Sequence, residues 1–463
     1  MIQAFRNILN IPELRRRVLF TFLMLAVYRV GAHIPTPGID AAALKALFEQ
    51  QAGTVLGFVD LFSGGNFSLM TIFALGIMPY ITASIILQLL TVVVPYIEKL
   101  SKEGEAGRKK ITQYTRYGTV LLSLVQAFGI SIWLENANPS GAGAIVIHPG
   151  FGFKLMTALT LTTGTAFIMW LGEQISERGI GNGISLIIYA GIVVGLPTAV
   201  ARTIQDINSG TLNPFIVLIL LVMMILVIAA IVTVERAQRR IPIQYARRVV
   251  GRRTYGGAST FLPLRVNTAG VIPVIFASSI LAIPQTVGQF AYLQDVKWVQ
   301  AILFQMGFQA PLHALLYLIG IMFFCFFYVS IIFNPMDQAD NMKKYGGFIP
   351  GIRPGKRTAD YIDRILTRLT FGGACYLGAV SLLPMFLING FRVQMLPWIG
   401  PTLERLLPAF ITQGLNLKFF FGGTSLLIVV GVAMDTVQQI ESQLIMRHYE
   451  GFMKGARMKG RRG

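Results

Sequence analysis

Charge is scarce in this chain and almost absent from its apolar stretches. Only 13% of the 463 residues are Asp, Glu, Lys or Arg, against 54% hydrophobic residues. No acid, base or histidine falls in 71–95, 117–134, 155–172, 183–201, 214–234, 267–292, 314–336, 369–391 or 419–434. Ion-coupled carriers ordinarily keep an intramembrane acid to hold the coupling ion. Its lack disfavours an ion-coupled secondary transporter of small molecules, the alternative reading, which is left with backbone carbonyls as Na⁺ ligands. A carbonyl filter of the TVGYG kind and a ring of acids are both missing, so a selective ion channel is not indicated. Only two cysteines occur, Cys325 and Cys375, both in apolar windows; they read as packed thiols, with no disulfide framework. The four histidines are scattered, which gives no metal cluster. No constellation for nucleophilic or metal catalysis is present, so the expectation is a non-enzyme without cofactor or metal. RGIGNG at Arg178–Gly183 lacks the strand and βαβ setting of a dinucleotide fingerprint. GKRT at Gly355–Thr358 fails as a phosphate loop, because Arg357 follows Lys356 and Pro350 stands where the first glycine belongs. No cleavable signal peptide is evident: Met1–Arg17 is polar and basic, and no small-residue cleavage site follows the first apolar run.

What is present is hydrophobic sequence in repeated long windows, with a mean hydropathy of +0.62. A bilayer is crossed by about 20 mostly apolar residues. Ten windows qualify as spans, near 18–33, 71–95, 117–136, 155–173, 183–202, 214–235, 267–289, 313–335, 368–390 and 418–438. The net charge of +19 then reads as topology, since cytoplasmic loops collect Lys and Arg. With the N-terminus inside, all 40 basic residues are cytoplasmic except Arg29, Lys45, Lys154, Arg202, Lys297, Arg392, Arg405 and Lys418. An even span count places both termini in the cytoplasm. Two sets of five spans run in opposite senses, an arrangement that often encloses a central pathway. The organisation is therefore a cytoplasmic segment 1–17, an N-terminal half 18–202, an outer hinge loop 203–213, a C-terminal half 214–438 and a cytoplasmic tail 439–463.

The stretch from Gly57 to Pro95 joins two unlike pieces. Up to Met70 it is short and mixed: Leu61, Phe62 and Phe67 alternate with Ser63, Gly64, Gly65 and Asn66. From Thr71 to Pro95 it reads as a spanning helix. Non-helical backbone at membrane depth survives only when buried in protein or facing a wet cavity. Composition alone favours a re-entrant or interfacial loop over a moving part. Two cytoplasmic loops, Arg236–Val266 and Asn334–Thr367, are long for connectors and set their Arg and Lys on turns such as Gly251–Arg253 and Gly351–Arg357. Topological anchoring alone accounts for such loops. Rigid arginines on turns also suit docking to carboxylate or phosphate. Ile77 and Ile81, like Ile184 and Ile188, are four apart and so share a helix face; such pairs are usually packing residues.

A resemblance sharpens these readings. LFSGG (Leu61–Gly65), FALGIMPYITASIILQLLT (Phe73–Thr91), EGEAGRKKITQYTRYGT (Glu103–Thr119), MWLGEQISERGIGNGIS (Met169–Ser185), VNTAGVIPVIFASS (Val266–Ser279), FNPMDQADNMKK (Phe333–Lys344), FIPGIRPGKRT (Phe348–Thr358) and FGGTSLLIVVG (Phe421–Gly431) occur in the order of the bacterial SecY family. The likeness is weakest in 134–153 and 391–417, to which no role is assigned.

The resemblance implies an all-α polytopic membrane protein: ten transmembrane helices in two pseudo-symmetric inverted halves around a central hourglass pore. It implies the central channel subunit of the Sec translocase in the bacterial cytoplasmic membrane. Unfolded polypeptide would pass outward, and hydrophobic helices would leave sideways into membrane lipids. A pore ring would map to Ile77, Ile81, Ile184, Ile188, Ile275 and Ile428. The plug would be about Gly57–Met70, held weakly by few apolar anchors and two adjacent glycines. Thr82 and Gln88 match lateral-gate positions. Arg252 and Arg253 match ribosome-docking positions, and Arg353 one needed by the SecA motor. Implied partners are SecE and SecG as a heterotrimer, SecA, the ribosome, signal peptides and nascent chains, with SecDF and YidC further out.

Overall fold

The computed structural model describes residues 11–50, 60, 63–137, 144–210, 213–245, 248–250, 253–255, 259–287, 302–307, 310–389 and 423–455. A helix runs through each of the ten apolar windows. In chain order the helices are α1 (Pro12–Gly31), the short α2 (Ala41–Gln50), α3 (Met78–Val93), α4 (Pro95–Lys102), α5 (Glu105–Asn136), α6 (Phe151–Arg178), α7 (Gly183–Asn208), α8 (Pro214–Arg236), α9 (Ile272–Val287), α10 (Pro311–Ile332), α11 (Pro335–Lys344), α12 (Lys356–Asn389) and α13 (Gly423–Gly455). Among the described residues six helices are long and apolar enough to cross a membrane, or seven if α3 and α4, bent by 99° at Val94, count as one.

Local chemistry sets many helix starts. Pro12, Pro79, Pro95, Pro214, Pro311 and Pro335 each stand in a first turn, where a missing N–H costs nothing. Asn213 and Asn334 cap α8 and α11 by accepting from the N–H of Phe215 and Met336. The outward faces stay apolar. Phe22, Leu218 and Leu226 are more than half exposed, and the most apolar window of α8 is only 11% buried. Surfaces of that kind need lipid or another protein against them.

Three expectations change. The chain is mostly helical, but it is not all-α: the two basic loops form strands. β1 (Gln238–Tyr245) pairs antiparallel with β4 (Ser259–Arg265) and β5 (Gly347–Phe348), in the order β4-β1-β5, while β2 (Arg248–Val250) pairs with β3 (Arg253–Tyr255). The cause is a period of two within basic sequence. Ile241 and Ile243 turn inward with Leu264, Met342, Ile349 and Ile362, while Pro242 and Gln244 face outward. The second helical window begins at Met78 instead of Thr71, because Thr71–Ile77 is a run of turns with Gly76 at φ +56°. Ile77 is thus the N-cap of α3, and its carbonyl accepts from the N–H of Ile81. Of the two thiols, Cys325 is buried but Cys375 is exposed on α12.

The chain divides into two compact units. One comprises Met1–Arg202, Ala282–Leu303 and Val432–Gly463; the other comprises Thr203–Leu281 and Phe304–Gly431. In the first, α5 and α6 form an antiparallel pair tied near both ends. Arg116 meets Glu173 through two bonds of 2.8 Å, a bidentate geometry. Glu135 meets Lys154 at 3.0 Å and accepts from the N–H of Gly150. The core of this unit gathers Leu44, Phe48, Phe67, Met70, Leu134, Ile145, Phe153 and Leu161. Ile145 and Val146 bring part of the 134–153 connection into that core, and the Asp40 N–H donates to the Ile145 carbonyl. The 391–417 segment lies outside the described residues. In the second unit α10 packs on α12, and the three-stranded sheet closes against α11 and the start of α12.

Candidate functional site

The segment Asp60–Ile77 of the first unit is the unusual part of the fold. Leu61, Phe62 and 57–59 lie outside the described residues. The remainder is compact, non-helical beyond Ser63, and closely bonded. Ser63 Oγ donates to the Asp60 carbonyl (2.9 Å) and accepts from the Phe67 N–H (3.1 Å). The Ser68 N–H donates to Asp60 Oδ1 at 2.8 Å, and Ser68 Oγ to the Gly65 carbonyl. Burial pushes the Asp60 carboxyl above its usual range, and these donors oppose the shift. Phe67 lies edge-on to Phe48 and stacks near Trp133. The segment ends in backbone pairing: the Thr36 N–H donates to the Met70 carbonyl, and the Ile72 N–H to the Ile34 carbonyl.

Gly64 makes a close backbone contact. Its φ is +73°, and a Cβ placed on it would lie 2.6 Å from the Cα of Gly191 on α7. Backbone meets backbone there, and no rotamer can make room for a methyl. The expectation of a weakly held segment therefore changes. It has few apolar anchors, but its polar groups are paired and Phe67 and Met70 are buried in the core.

The six isoleucines are placed as follows. Ile77 and Ile81 are buried at the start of α3, Ile188 is buried on α7, and Ile184 is half-buried one turn earlier. Ile275 on α9 and Ile428 on α13 belong to the second unit, each at most 4% exposed. Thr82 is buried and donates to the Met78 carbonyl at 3.1 Å. Gln88 donates to Ser84 Oγ at 3.3 Å, while its Oε1 is buried without a hydrogen-bond partner among the described residues. Such an orphaned oxygen is costly unless a group or water reaches it.

On the basic side, Arg353 is exposed on the turn between β5 and α12. Gly351 and Gly355 hold that turn at positive φ, and Thr358 Oγ1 donates to the Arg353 carbonyl at 2.9 Å. The guanidinium is presented on a fixed loop, not a free tail. Arg253 opens β3, and Arg252 lies outside the described residues. Arg240 stacks 4.8 Å above Phe261 across β1 and β4, a cation–π contact. Glu98 on α4 is held below the usual carboxylate range by its hydrogen bond from Lys102. No group of three metal-ligating side chains occurs among the described residues.

Sequence reasoning missed several positioning residues. Tyr28 on α1 is 2% exposed; its hydroxyl donates to the Ser63 carbonyl (3.2 Å) and accepts from Asn66 Nδ2 (3.1 Å). A lone tyrosine in an apolar window gave no signal of this. RGIGNG proved to be a junction in the first unit. The Ile180 N–H donates to Thr21 Oγ1 and the Gly181 N–H to Gln439 Oε1, both at 3.0 Å. Ile180 and Leu14 are buried together, with Ile440 and Leu444 against them.

Comparison with known proteins agrees with this architecture. The SecY family model matches residues 71–437. The protein translocase subunit SecY of Escherichia coli K12 is 49% identical over 452 residues, 97% of this chain and 96% of its own length. That of Streptomyces coelicolor is 47% identical over 463 residues, covering 98% and 100%. Among solved structures, one described as the structure of a protein conducting channel superposes with a TM-score of 0.62 at 18% identity, covering 96% of this chain and 95% of that one. Another, on the plug domain of the SecY protein stabilising the closed state of the translocation channel, gives 0.63 at 19% identity over the same shares. The chain belongs to the SecY family of protein translocation channel subunits.

Proposed function

We propose that this chain passes unfolded secretory polypeptides across the bacterial cytoplasmic membrane and releases hydrophobic helices sideways into lipid. Its ten apolar windows are ten spans, in two inverted halves, with both termini cytoplasmic. Ile77, Ile81, Ile184, Ile188, Ile275 and Ile428 form an apolar constriction that stays dry when empty. Branched aliphatic side chains seal around chains of differing width and bind none of them chemically. The Asp60–Met70 segment is the plug, and Thr82 with Gln88 belongs to the lateral gate. Arg252, Arg253 and Arg353 meet ribosomal RNA phosphates or acids on the SecA motor. SecE and SecG complete the heterotrimer.

One observation carries the reading. A compact non-helical segment at the foot of α3, tied to α1 by hydrogen bonds that water can replace, lies next to the buried Ile77, at the start of a helix free of charge. The chain supplies no energy of its own, so motion is driven by its partners. The test is reconstitution with SecE and SecG, followed by SecA, ATP and a secretory precursor. Precursor should become protease-protected only when SecA and ATP are both present. Protection that is indifferent to SecA would contradict the proposal.

A further inference from the structure

We infer that Tyr28 and Asn66 form a polar latch that sets how readily the plug leaves; this rests on the channel reading of the Asp60–Met70 segment. Among the described residues, the other side-chain hydrogen bonds of the segment's body are internal, such as Ser63 with Asp60 and Phe67, or Ser68 with Asp60 and Gly65. They travel with the segment and do not resist its departure. At the far end, the backbone pairing of Met70 and Ile72 with Thr36 and Ile34 acts as a hinge. Among the described residues, the hydrogen bonds that tie the body to a spanning helix converge on the Tyr28 hydroxyl. It donates to the Ser63 carbonyl at 3.2 Å and accepts from Asn66 Nδ2 at 3.1 Å, while that nitrogen also donates to the Ser63 carbonyl at 2.6 Å. Three groups close one triangle.

The latch sits beside the close backbone approach of Gly64 and Gly191. A Cβ on Gly191 would be 3.2 Å from Gly64 and 3.8 Å from the Tyr28 hydroxyl. The Tyr28 ring is fixed independently, stacked on Phe73 at 5.8 Å, so the hydroxyl is a preset anchor. Asn66 and Ser63 are 1% and 2% exposed. In so dry a setting the two bonds to Tyr28 are stronger than in water, and breaking them without replacement leaves the Tyr28 hydroxyl unpaired, while Ser63 and Asn66 keep only their bond to each other. Once water or the backbone of an entering polypeptide reaches it, each lost bond is exchanged for another. The latch therefore holds while the pathway is dry and slackens when it wets, which couples plug release to the arrival of cargo.

The experiment uses the full complex with its small partner subunits in planar bilayers and vesicles. Tyr28→Phe keeps the stacked ring and removes only the hydroxyl; Asn66→Ala removes the amide; a third variant carries both. Resting ion conductance reads plug occupancy, and thermal stability of the complex reads folding. Each single variant should raise resting conductance by roughly threefold to tenfold, the weight of one or two net hydrogen bonds. The double variant should leak no more than about the stronger single one, because both changes break the same triangle. The melting temperature of Tyr28→Phe should match that of the parent. Unchanged conductance in Tyr28→Phe, or effects that multiply independently in the double variant, would overturn the latch. The parent complex is assayed alongside for SecA-driven export. Export with no leak in Tyr28→Phe defeats only the latch, whereas no export by the parent defeats the channel reading itself.

Discussion

Gly64→Ala is the sharpest perturbation of the plug, because Gly65 beside it supplies the control. Both glycines hold positive φ, +73° and +82°. An L-residue in that region costs about 1–2 kcal/mol at either position. The two differ in what a methyl meets. At Gly65 nothing lies within 4 Å of the new Cβ; at Gly64 the Cα of Gly191 lies at 2.6 Å and its carbonyl carbon and oxygen at 3.3 Å. Forcing a methyl into packed backbone adds about 1–3 kcal/mol. Gly65→Ala should therefore loosen the plug modestly. Gly64→Ala should loosen it by a further factor of roughly five to one hundred and fifty in the docked-to-free ratio. The assay is resting conductance of the reconstituted complex, with thermal stability as a check on folding. Equal conductance in the two variants would refute the reasoning, since backbone strain alone would then explain both.

Three further outcomes follow from the same geometry. Ile428→Asn places an amide at a fully buried position at a cost of about 1–3 kcal/mol, and resting conductance should rise while SecA-driven export persists. Arg353→Glu reverses a charge on an exposed, fixed turn; SecA-dependent export should fall at least about tenfold with the melting temperature unmoved. Burial raises the Asp60 pKa, so docking is strongest with the carboxyl protonated and weakens as pH rises through the raised value. Resting conductance should climb with pH across the acid range in the parent and stay flat in Asp60→Asn, which keeps an oxygen for the Ser68 N–H.

Much of the fold was legible in the sequence because bilayer thickness and charge bias act on composition directly. The apolar windows each hold a helix, and Ile77, Ile81, Ile188, Ile275 and Ile428 are all buried. Helix ends were less legible. α5, α12 and α13 run well past their apolar windows as polar helix, supported in α5 by pairs such as Glu105 with Lys109. The strands in the basic loops were missed because their inward residues, Ile241 and Ile243, are few and interrupted by Pro242. The contacts that matter most for the plug join residues 35 to 38 positions apart, Tyr28 with Ser63 and Asn66. No local period encodes such a contact, and only folding brings a hydroxyl in the last turn of α1 to a loop carbonyl.

The central claim is that cargo passes by the buried isoleucines. A precursor carrying one cysteine, stalled midway with SecA and ATP, would be oxidised against single-cysteine variants of the channel. Ile81→Cys and Ile428→Cys should form a disulfide with the stalled chain, and Leu218→Cys, on the outward apolar face of α8, should not. Cross-linking absent at both isoleucine positions, or equally strong at Leu218, would contradict the account.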